Sequence, residues 1–511
     1  MIKNKTKLVL IMLMAVLPAL MVTIIINTQN KVPLTNFIPV SPTDQNEYWH
    51  QIATFNLAGF KGGYYTHLEK TALITQSKFG VHGPFYIIVM GVLSKITGWD
   101  YSTPIFFNMI FLALGFIIFA WLSKLNKTQI VLAGLTLGLF PPVLVYLPTA
   151  MQESFQQMVG ILFAAIFGIS LVYKEKLAFW KKAAVIAFTF LVSLIRPSWG
   201  LLFFPFFALY FPKNIKKQIL AFFISLFFLF AVILLIGLFM TPGNNTVSQA
   251  LDEFKPGFRP GIQFLFVTVM NNVKIYLSLS NIPQMVFRAE YMLILVFTLA
   301  FALFLLIRKK KKRSTAQIPL DVDLNLNIIF FLIIFPIILW SFSLYFIKND
   351  MRFIAPYFLL IFFLLIYNKR YFFVITFVLI NLLMLPASIS LTTYPIGNNF
   401  TFSNEKITAT KQIMDQSIHY DPRQTNAWCN TILVPVTLYD YRISQIPAGI
   451  GISYVLNNNG IDKITFPIKS KYVLLTTQEA NELNQSAMDQ LEYLVNFPDS
   501  ILFINKNAAC N

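Results

Sequence analysis

The stretch Ser41-Pro42-Thr43-Asp44-Gln45-Asn46-Glu47-Tyr48-Trp49-His50 places two carboxylates and an imidazole on one short predicted helix beside a membrane-spanning segment. Ser41 can act as the N-cap, and the proline after it fits the first helical position. Asp44, Glu47 and His50 are spaced three residues apart, so we expect them on neighbouring parts of one helix face. A purely structural interpretation also fits, because Ser41 and Asp44 form a capping box. The position of the stretch in the whole chain favours a functional site.

The composition excludes a water-soluble globular protein. Of the 511 residues, 56% are hydrophobic and 53 are Phe, and the mean hydropathy is +0.64. Apolar stretches long enough to cross a bilayer recur along the chain, which indicates a polytopic membrane protein. The net charge of +18 resides largely in short segments between these stretches. It therefore indicates membrane topology and contact with anionic lipid, and not nucleic-acid binding.

The apolar stretches predict an all-α membrane module with about eleven transmembrane helices. The first stretch, Leu8–Ile26, is long for a signal peptide and lacks a convincing cleavage site, so we expect a retained signal-anchor span. The expected spans lie near residues 8–26, 104–122, 130–147, 154–173, 183–195, 199–212, 218–240, 291–307, 326–347, 353–367 and 371–391.

The apolar helix at residues 83–97 decides the topology, because it is barely long enough to span. If it crossed the membrane, the basic run Arg308–Arg313 would lie outside, against the positive-inside rule. We therefore expect an interfacial or re-entrant helix, a cytoplasmic N-terminus and an external C-terminus. The external loops then comprise residues 27–103 and 241–290, and Glu153 and Arg196 face the same side as Asp44. The Asn-, Lys- and Ile-rich composition suggests a bacterial inner membrane.

Residues 393–511 differ from the module at 1–392, because they are polar and Asn-rich. Candidate strands at Ile432–Val436 and Tyr472–Thr476 and a helical run at Gln478–Tyr493 predict a small external (periplasmic) α/β domain. Both cysteines, Cys429 and Cys510, lie in it. One disulfide and two separate free thiols both remain open.

Several motifs in order resemble the GT-C superfamily of polyprenyl-phosphate-sugar-dependent glycosyltransferases, near its protein O-mannosyltransferase-like and aminoarabinose-transferase-like branches. They are Ser41-Pro42-Thr43-Asp44 with Tyr48-Trp49, then His82-Gly83-Pro84-Phe85-Tyr86, then Glu153, and finally Asp350-Met351-Arg352-Phe353-Ile354-Ala355-Pro356. The chain departs from the family pattern twice. Asp44 and Glu47 are separated where adjacent acids are common, and Glu153 replaces a common Asp.

The resemblance implies an inverting transfer of a sugar from a polyprenyl-phosphate donor to a lipid, glycan or protein acceptor in the cell envelope. Such a transfer needs a base for the acceptor hydroxyl and cations for the departing phosphate. Asp44 is the candidate base, with Glu47 and Glu153 as further catalytic candidates. The candidates for phosphate binding are Arg352, Arg196, Lys255 and Arg259, and each arginine at a span end could equally be a snorkelling residue. His82, Tyr48 and Trp49 are candidates for acceptor contact or for orienting the loop.

No cofactor follows from the sequence with certainty, but a divalent metal is possible. Glu47 and His50 have a spacing that suits a metal. Histidines in a polar, aromatic loop are also ordinary hydrogen-bonding residues, so both interpretations stand.

Two other functional classes produce similar patterns. A lipid-linked oligosaccharide polymerase or ligase would also carry external arginines, and a polysaccharide flippase or transporter would also have many spans. A transporter should carry ionisable residues at mid-membrane depth, and the predicted spans contain almost none. A catalytically inactive scaffold is a further alternative. Donor sugar, acceptor, lipid length and oligomeric state are not encoded in any motif found.

The topology gives the first prediction. A reporter inserted at Lys309–Lys312 should be active only in the cytoplasm, and a reporter fused after Asn511 only outside, because the basic run resists translocation. Activity of both reporters on the same side would contradict this topology.

Overall fold

The protein is a helical assembly with a small sheet near its C-terminus. A computed structural model describes residues 5–31, 33–34, 37, 44–64, 69, 78–80, 83–173, 178–211, 214–240, 252–277, 303, 351–386, 389, 404–435, 442–455, 467–483 and 485–510.

Helices dominate up to residue 417, and most are rich in Phe, Leu and Ile. They are α1 (Lys5–Ile25), α2 (Asp44–Ala58), α3 (Phe85–Thr97), α4 (Thr103–Leu122), α5 (Lys127–Leu139), α6 (Pro141–Tyr146), α7 (Glu153–Tyr173), α8 (Phe179–Ile195), α9 (Phe203–Tyr210), α10 (Ile215–Phe239), α11 (Phe258–Leu277), α12 (Ala355–Tyr367), α13 (Tyr371–Leu383) and α14 (Asn404–Ser417).

Four helices in the described part of the chain are long and apolar enough to cross a membrane. They cover Lys5–Gln29, Thr103–Leu122, Glu153–Leu171 and Ile215–Phe239. The expected count of about eleven spans is not confirmed. The expected spans at 291–307 and 326–347 lie outside the described residues, and others are apolar helices of 13 to 17 residues.

Two of the expected spans are not single α-helices. The span expected at 130–147 consists of α5 and α6, separated at Phe140. Pro141 disfavours a helical Phe140, whose φ of −73° and ψ of 116° are extended, because the proline ring clashes with the residue before it. The span expected at 199–212 begins instead as a 3₁₀ helix, Pro197–Leu202, and continues as α9.

The closest helix packing joins α7 to α12. A Cβ atom at Gly160 would lie 2.2 Å from the carbonyl oxygen of Pro356, so the two backbones approach as only glycine permits. Beside this contact, Trp199 packs against Phe163 at 5.1 Å and against Tyr357 at 4.4 Å between ring centroids. This packing fixes the first turn of α12, and therefore the preceding Arg352, relative to α7.

Several basic turns meet at one end of the helix bundle. Gln129, beside Lys127, donates hydrogen bonds to the carbonyl groups of Ile366 and Tyr367, which precede Lys369 and Arg370. Lys182 lies over the ring of Tyr210 at 5.5 Å, and the hydroxyl groups of Tyr210 and Ser170 are 3.1 Å apart. Glu153 begins α7 and Arg196 follows α8, so both lie at the opposite end.

The helices α2 and α3 of the first loop (residues 27–103) pack side by side at that opposite end. Tyr48 meets Tyr86 edge to face, and the amide of Asn56 donates to Ser94 Oγ at 2.9 Å. The hydroxyl of Tyr86 donates to the carbonyl of Met151, at 3.2 Å, just before α7. These contacts keep α3 beside α2 along its length.

The C-terminal unit, which is the described part of residues 404–510, contains a five-stranded sheet in the order β2-β1-β3-β5-β4. Its strands are β1 (Thr431–Pro435), β2 (Gly451–Val455), β3 (Tyr472–Thr476), β4 (Leu491–Asn496) and β5 (Ser500–Asn505). Strand β1 is parallel to β2 and β3, and β5 is antiparallel to β3 and β4.

The α/β prediction for this unit holds except at one element. The helical run expected over Gln478–Tyr493 is wrong: it consists of α15 (Thr477–Glu482) and α16 (Gln485–Met488), followed by β4. Pairing with β5, in which Tyr493 aligns with Phe503, overrides the local helical preference. Cys429 and Cys510 form a disulfide that links the start of β1 to the end of the chain. Within the external loop expected at 241–290, residues Phe258–Leu277 form α11.

The α7–α12 contact gives the second prediction. Gly160→Ala should lower the midpoint of thermal unfolding in detergent, because overpacking at a backbone contact costs about 1–3 kcal/mol. Gly237→Ala is the matched control, since its Cβ meets nothing within 4 Å. Equal midpoints for the two variants would mean that the backbones separate at little cost.

Candidate functional site

Helix α2 carries its acidic residues at its start. Asp44 and Glu47 lie in the first turn, where the helix dipole favours negative charge. Ser41–Thr43 lie outside the described residues, so the capping box remains a prediction. Asp44 is partly exposed, whereas the next six residues are buried. The start of α2 is therefore more accessible than the residues that follow it.

Asp44 forms an ion pair with Arg352, which lies 308 positions away and just before α12. The Asp44 side chain is 27% exposed and the Arg352 side chain 20% exposed. This intermediate exposure matters, because the pair is sheltered from water yet reachable by another molecule. A guanidinium in this position can exchange a carboxylate for a phosphate, since both present oxygens that match its planar fork.

A second acid–arginine pair lies alongside the first. Glu153, at the start of α7, and Arg196, directly after α8, are both buried, with 3.9 Å between the nearest nitrogen and oxygen. Arg196 also donates to the backbone carbonyl of Arg352 at 3.4 Å. Both guanidinium groups lie over the ring of Phe353, at 5.5 Å for Arg196 and 5.1 Å for Arg352. We name Asp44, Glu153, Arg196 and Arg352 the acid–arginine cluster.

Tyr48 lies within the electric field of all four members of this cluster. Burial raises the pKa of its hydroxyl well above the usual value, and Glu153 and Asp44 raise it further, whereas Arg352 and Arg196 lower it. Burial also raises the pKa of Tyr86, and Glu153 adds to this effect. Both phenols therefore stay neutral and can donate hydrogen bonds. Tyr86 follows His82 by four residues, and His82 itself lies outside the described residues.

In the predicted metal pair, one nitrogen of the His50 ring is already bound to a backbone carbonyl group. His50 Nε2 donates to the carbonyl of Ile450 at 2.8 Å, so this imidazole is used to hold α2 against the C-terminal unit. Glu47 is buried one turn earlier on α2. No group of three or more His, Cys, Asp or Glu side chains in the described ranges could hold a metal ion.

The remaining candidates lie away from the cluster. Trp49 stacks on Tyr101 at 4.7 Å, and its indole donates to the carbonyl of Asp100, which suits a role in orienting the loop. Lys255 is exposed and pairs with Asp252, and Arg259 is also exposed. Neither Lys255 nor Arg259 is among the charged groups that act on Tyr48.

Sequence reasoning did not identify two buried contacts that support the cluster. The indole of Trp199 donates to Gln156 Oε1 at 2.5 Å, which ties the segment after Arg196 to α7. Glu69 binds inside the C-terminal unit. The N–H of a buried indole usually has a hydrogen-bond partner, so a polar partner for Trp199 could have been anticipated. No local sequence pattern predicts that Glu69 binds residues of the C-terminal unit.

No protein-family model, curated protein or solved structure matches this chain. The chemistry of the site therefore rests on its own geometry. Two arginines and two carboxylates from four separate segments meet at one end of a helix bundle, beside two neutral phenols. Such a group can bind an anionic, phosphate-like ligand and accept a proton beside it.

The burial of His50 gives the third prediction. The pKa of His50 is lowered to about 4. Burial is the largest cause and nearby Lys411 adds to it, whereas hydrogen bonds to the Ile450 and Ile446 carbonyls and the charge of Glu47 act in the opposite direction. The unfolded chain binds this proton near pH 6.5, so the contribution of His50 to stability is complete above pH 6.5 and is lost as the pH falls towards 4.

The midpoint of thermal unfolding should therefore decrease between pH 6.5 and 4. His50→Gln keeps a donor for Ile450 and should flatten the histidine part of this decrease while acidic groups still titrate. Identical pH profiles for the two proteins would contradict the prediction.

Proposed function

We propose that this chain is a membrane glycosyltransferase that moves a sugar from a polyprenyl-phosphate donor to an acceptor hydroxyl, with inversion at the anomeric carbon. The observation that carries the proposal is the Asp44–Arg352 ion pair beside the Glu153–Arg196 pair. It unites a potential base with two potential phosphate ligands, of which Arg352 is partly exposed and Arg196 is buried. The order of these residues also matches the GT-C resemblance.

The leaving group of such a reaction is a phosphate whose negative charge grows as the glycosidic bond breaks. Arg352 and Arg196 offer planar guanidinium groups to this charge. Their positions are set by the ends of helices, so they need not reorganise during the reaction. Glu153 holds Arg196, and Tyr48 and Tyr86 supply neutral hydroxyl groups at the edge of the site.

The ion pair with Arg352 makes the availability of the Asp44 carboxylate depend on donor binding. In the absence of donor, Arg352 is bound by Asp44. A donor phosphate competes for the same guanidinium, and its binding releases the Asp44 carboxylate to accept the acceptor's proton. The acceptor oxygen then forms the new bond to the anomeric carbon, while the electron pair of the broken bond leaves with the phosphate.

The same proposal includes the membrane arrangement: about eleven spans, a cytoplasmic N-terminus, an external C-terminus and α3 at the external interface. The four long apolar helices and the separation of the basic turns from the acid–arginine cluster support it, because basic turns favour the cytoplasm. A bacterial inner membrane is the proposed location.

A polymerase or ligase that acts on lipid-linked oligosaccharides is the second candidate. The proximity of Arg196 to Arg352 favours it, because two arginines can bind a pyrophosphate. A transporter has less support, because the four described spans carry charged residues only near their ends. Mass spectrometry of cell-surface glycans decides between the first two candidates: loss of a single sugar supports transfer, and shortened polymers support polymerisation.

The base assignment gives the fourth prediction. Asp44→Asn should accumulate normally in the membrane but lose at least about a hundredfold in sugar transfer, because an amide cannot accept the proton. Release of polyprenyl phosphate from a panel of polyprenyl-phosphate sugars, with membranes from a strain lacking the gene as the acceptor source, measures the rate.

Two controls separate catalysis from folding. Ser41→Ala should weaken only the predicted cap, by about 1 kcal/mol, and keep most activity. Asp415→Asn makes the same chemical change at an exposed ion pair with Lys411 and should be neutral. Equal, modest losses in Asp44→Asn and Ser41→Ala would mean that Asp44 only starts a helix.

A further inference from the structure

The edge of the C-terminal sheet is covered by the first loop. Among the described strands, β2 lies at the end of the sheet and pairs only with β1. The N–H of Gly63 donates to the carbonyl of Gly449 at 3.1 Å, just before β2, and the N–H of Glu69 donates to the carbonyl of Tyr454 at 3.0 Å. Two points of the first loop thus bind the two ends of an edge strand, which otherwise exposes unpaired backbone groups.

The side chain of Glu69 penetrates the same unit. It is fully buried, and Oε1 accepts from the backbone N–H groups of Lys469 and Ser470 at 2.6 and 2.9 Å. Oε2 accepts from the hydroxyl groups of Ser453 and Ser470 at 2.5 and 2.7 Å. Four donors, two of them backbone N–H groups, therefore surround one carboxylate and form an anion site. Through this site the C-terminal unit holds the first loop at Glu69.

The segment that precedes β2 holds α2 itself. The N–H of Gly449 donates to Thr54 Oγ1 at 3.0 Å, and His50 donates to the carbonyl of Ile450 at 2.8 Å. Tyr420 adds a hydrogen bond from its hydroxyl to the carbonyl of Lys61 at 2.9 Å. These contacts hold α2 from its middle to just beyond its end, and Asp44 lies at its start.

A displacement of one part of α2 also moves its other parts, because the backbone hydrogen bonds make a helix stiff. His50 is six residues from Asp44, a rise of about 9 Å. If the held part of α2 tilts, Asp44 moves with it. Arg352 does not follow, because the packing of α12 against α7 fixes its position. Phe55 of α2 also packs closely against α3, because a Cβ atom at Gly91 would lie 2.5 Å from the Phe55 ring.

We infer that the C-terminal unit positions the acid–arginine cluster, and that Glu69 is a positioning residue that fixes the first loop, and with it α2 and Asp44, opposite Arg352. The grip on α2 stands independently of the reaction. Its effect on catalysis rests on the proposed function.

Gly63 offers the sharpest test, because it touches no member of the cluster. A Cβ there would lie 2.8 Å from the nitrogen and 2.9 Å from the Cα of Gly451. Gly63→Ala must therefore push the first loop away from β2. Glu69→Gln is the second variant, which keeps the side-chain size but offers an amide to a site built from donors. Gly237→Ala, with open space around its Cβ, is the matched control.

Hydrogen exchange of the full-length protein in nanodiscs provides a readout that does not depend on activity. Amides in α2 should exchange at least about tenfold faster in Gly63→Ala and Glu69→Gln than in the wild type, because the released helix opens locally. Amides in α7 and α12 should keep their wild-type rates, which shows that the bundle is folded. Unchanged exchange in α2 would overturn the inference.

Kinetics with the polyprenyl-phosphate sugar panel separate positioning from general damage. Both variants should lower kcat at least about tenfold, because small displacements of a catalytic group are costly. The donor KM should stay unchanged or fall by up to about fivefold, because the arginines are held elsewhere and the competing Asp44 carboxylate has moved away. A rise in KM that accompanies the fall in kcat, or no change in kcat, would overturn the catalytic part. If the wild type transfers no sugar while α2 is still released in the variants, the proposed function fails and the grip on α2 stands.

Discussion

The ion pair between Asp44 and Arg352 is the contact on which the functional arrangement depends. It joins the start of α2, in the first loop, to the residue that leads into α12, and so it connects two segments that are separated by 308 positions. A partly exposed pair of this kind contributes little to stability, because water and salt screen it. Its value lies in geometry: it keeps a carboxylate and a guanidinium together in a place that a ligand can reach.

The two partners of this pair are positioned by different sets of contacts. The α7–α12 contact at Gly160 and Pro356 sets the position of Arg352, and Glu153 with Arg196 completes the same end of the bundle. The C-terminal unit holds α2 through Ile450 and Gly449. The geometry of the ion pair therefore depends on both sets of contacts.

The sequence was informative where local chemistry or sidedness decided the outcome. Long apolar runs located α4, α7 and α10 closely, and the strand pattern located β3 at Tyr472–Thr476. The charge bias also placed Asp44, Glu153 and Arg196 at one end of the bundle. Sequence reasoning failed where partners are distant in the chain. The start of β4, up to Tyr493, was expected to be helical because its pairing with β5 is not visible locally, and the anion site for Glu69 is built from residues about four hundred positions away. His50 was considered as a metal ligand because its carbonyl partner, Ile450, could not be known.

Binding of polyprenyl phosphate, the leaving group without its sugar, tests most directly whether Asp44 and a phosphate compete for Arg352. Native mass spectrometry of the detergent-solubilised protein can compare the wild type with Arg352→Gln and Asp44→Asn. Arg352→Gln should weaken binding at least about tenfold, because a charge-assisted contact is lost. Asp44→Asn should bind as tightly as the wild type or up to about fivefold more tightly, because the competing carboxylate is gone. Binding that ignores Arg352, or that weakens equally in both variants, would contradict the account.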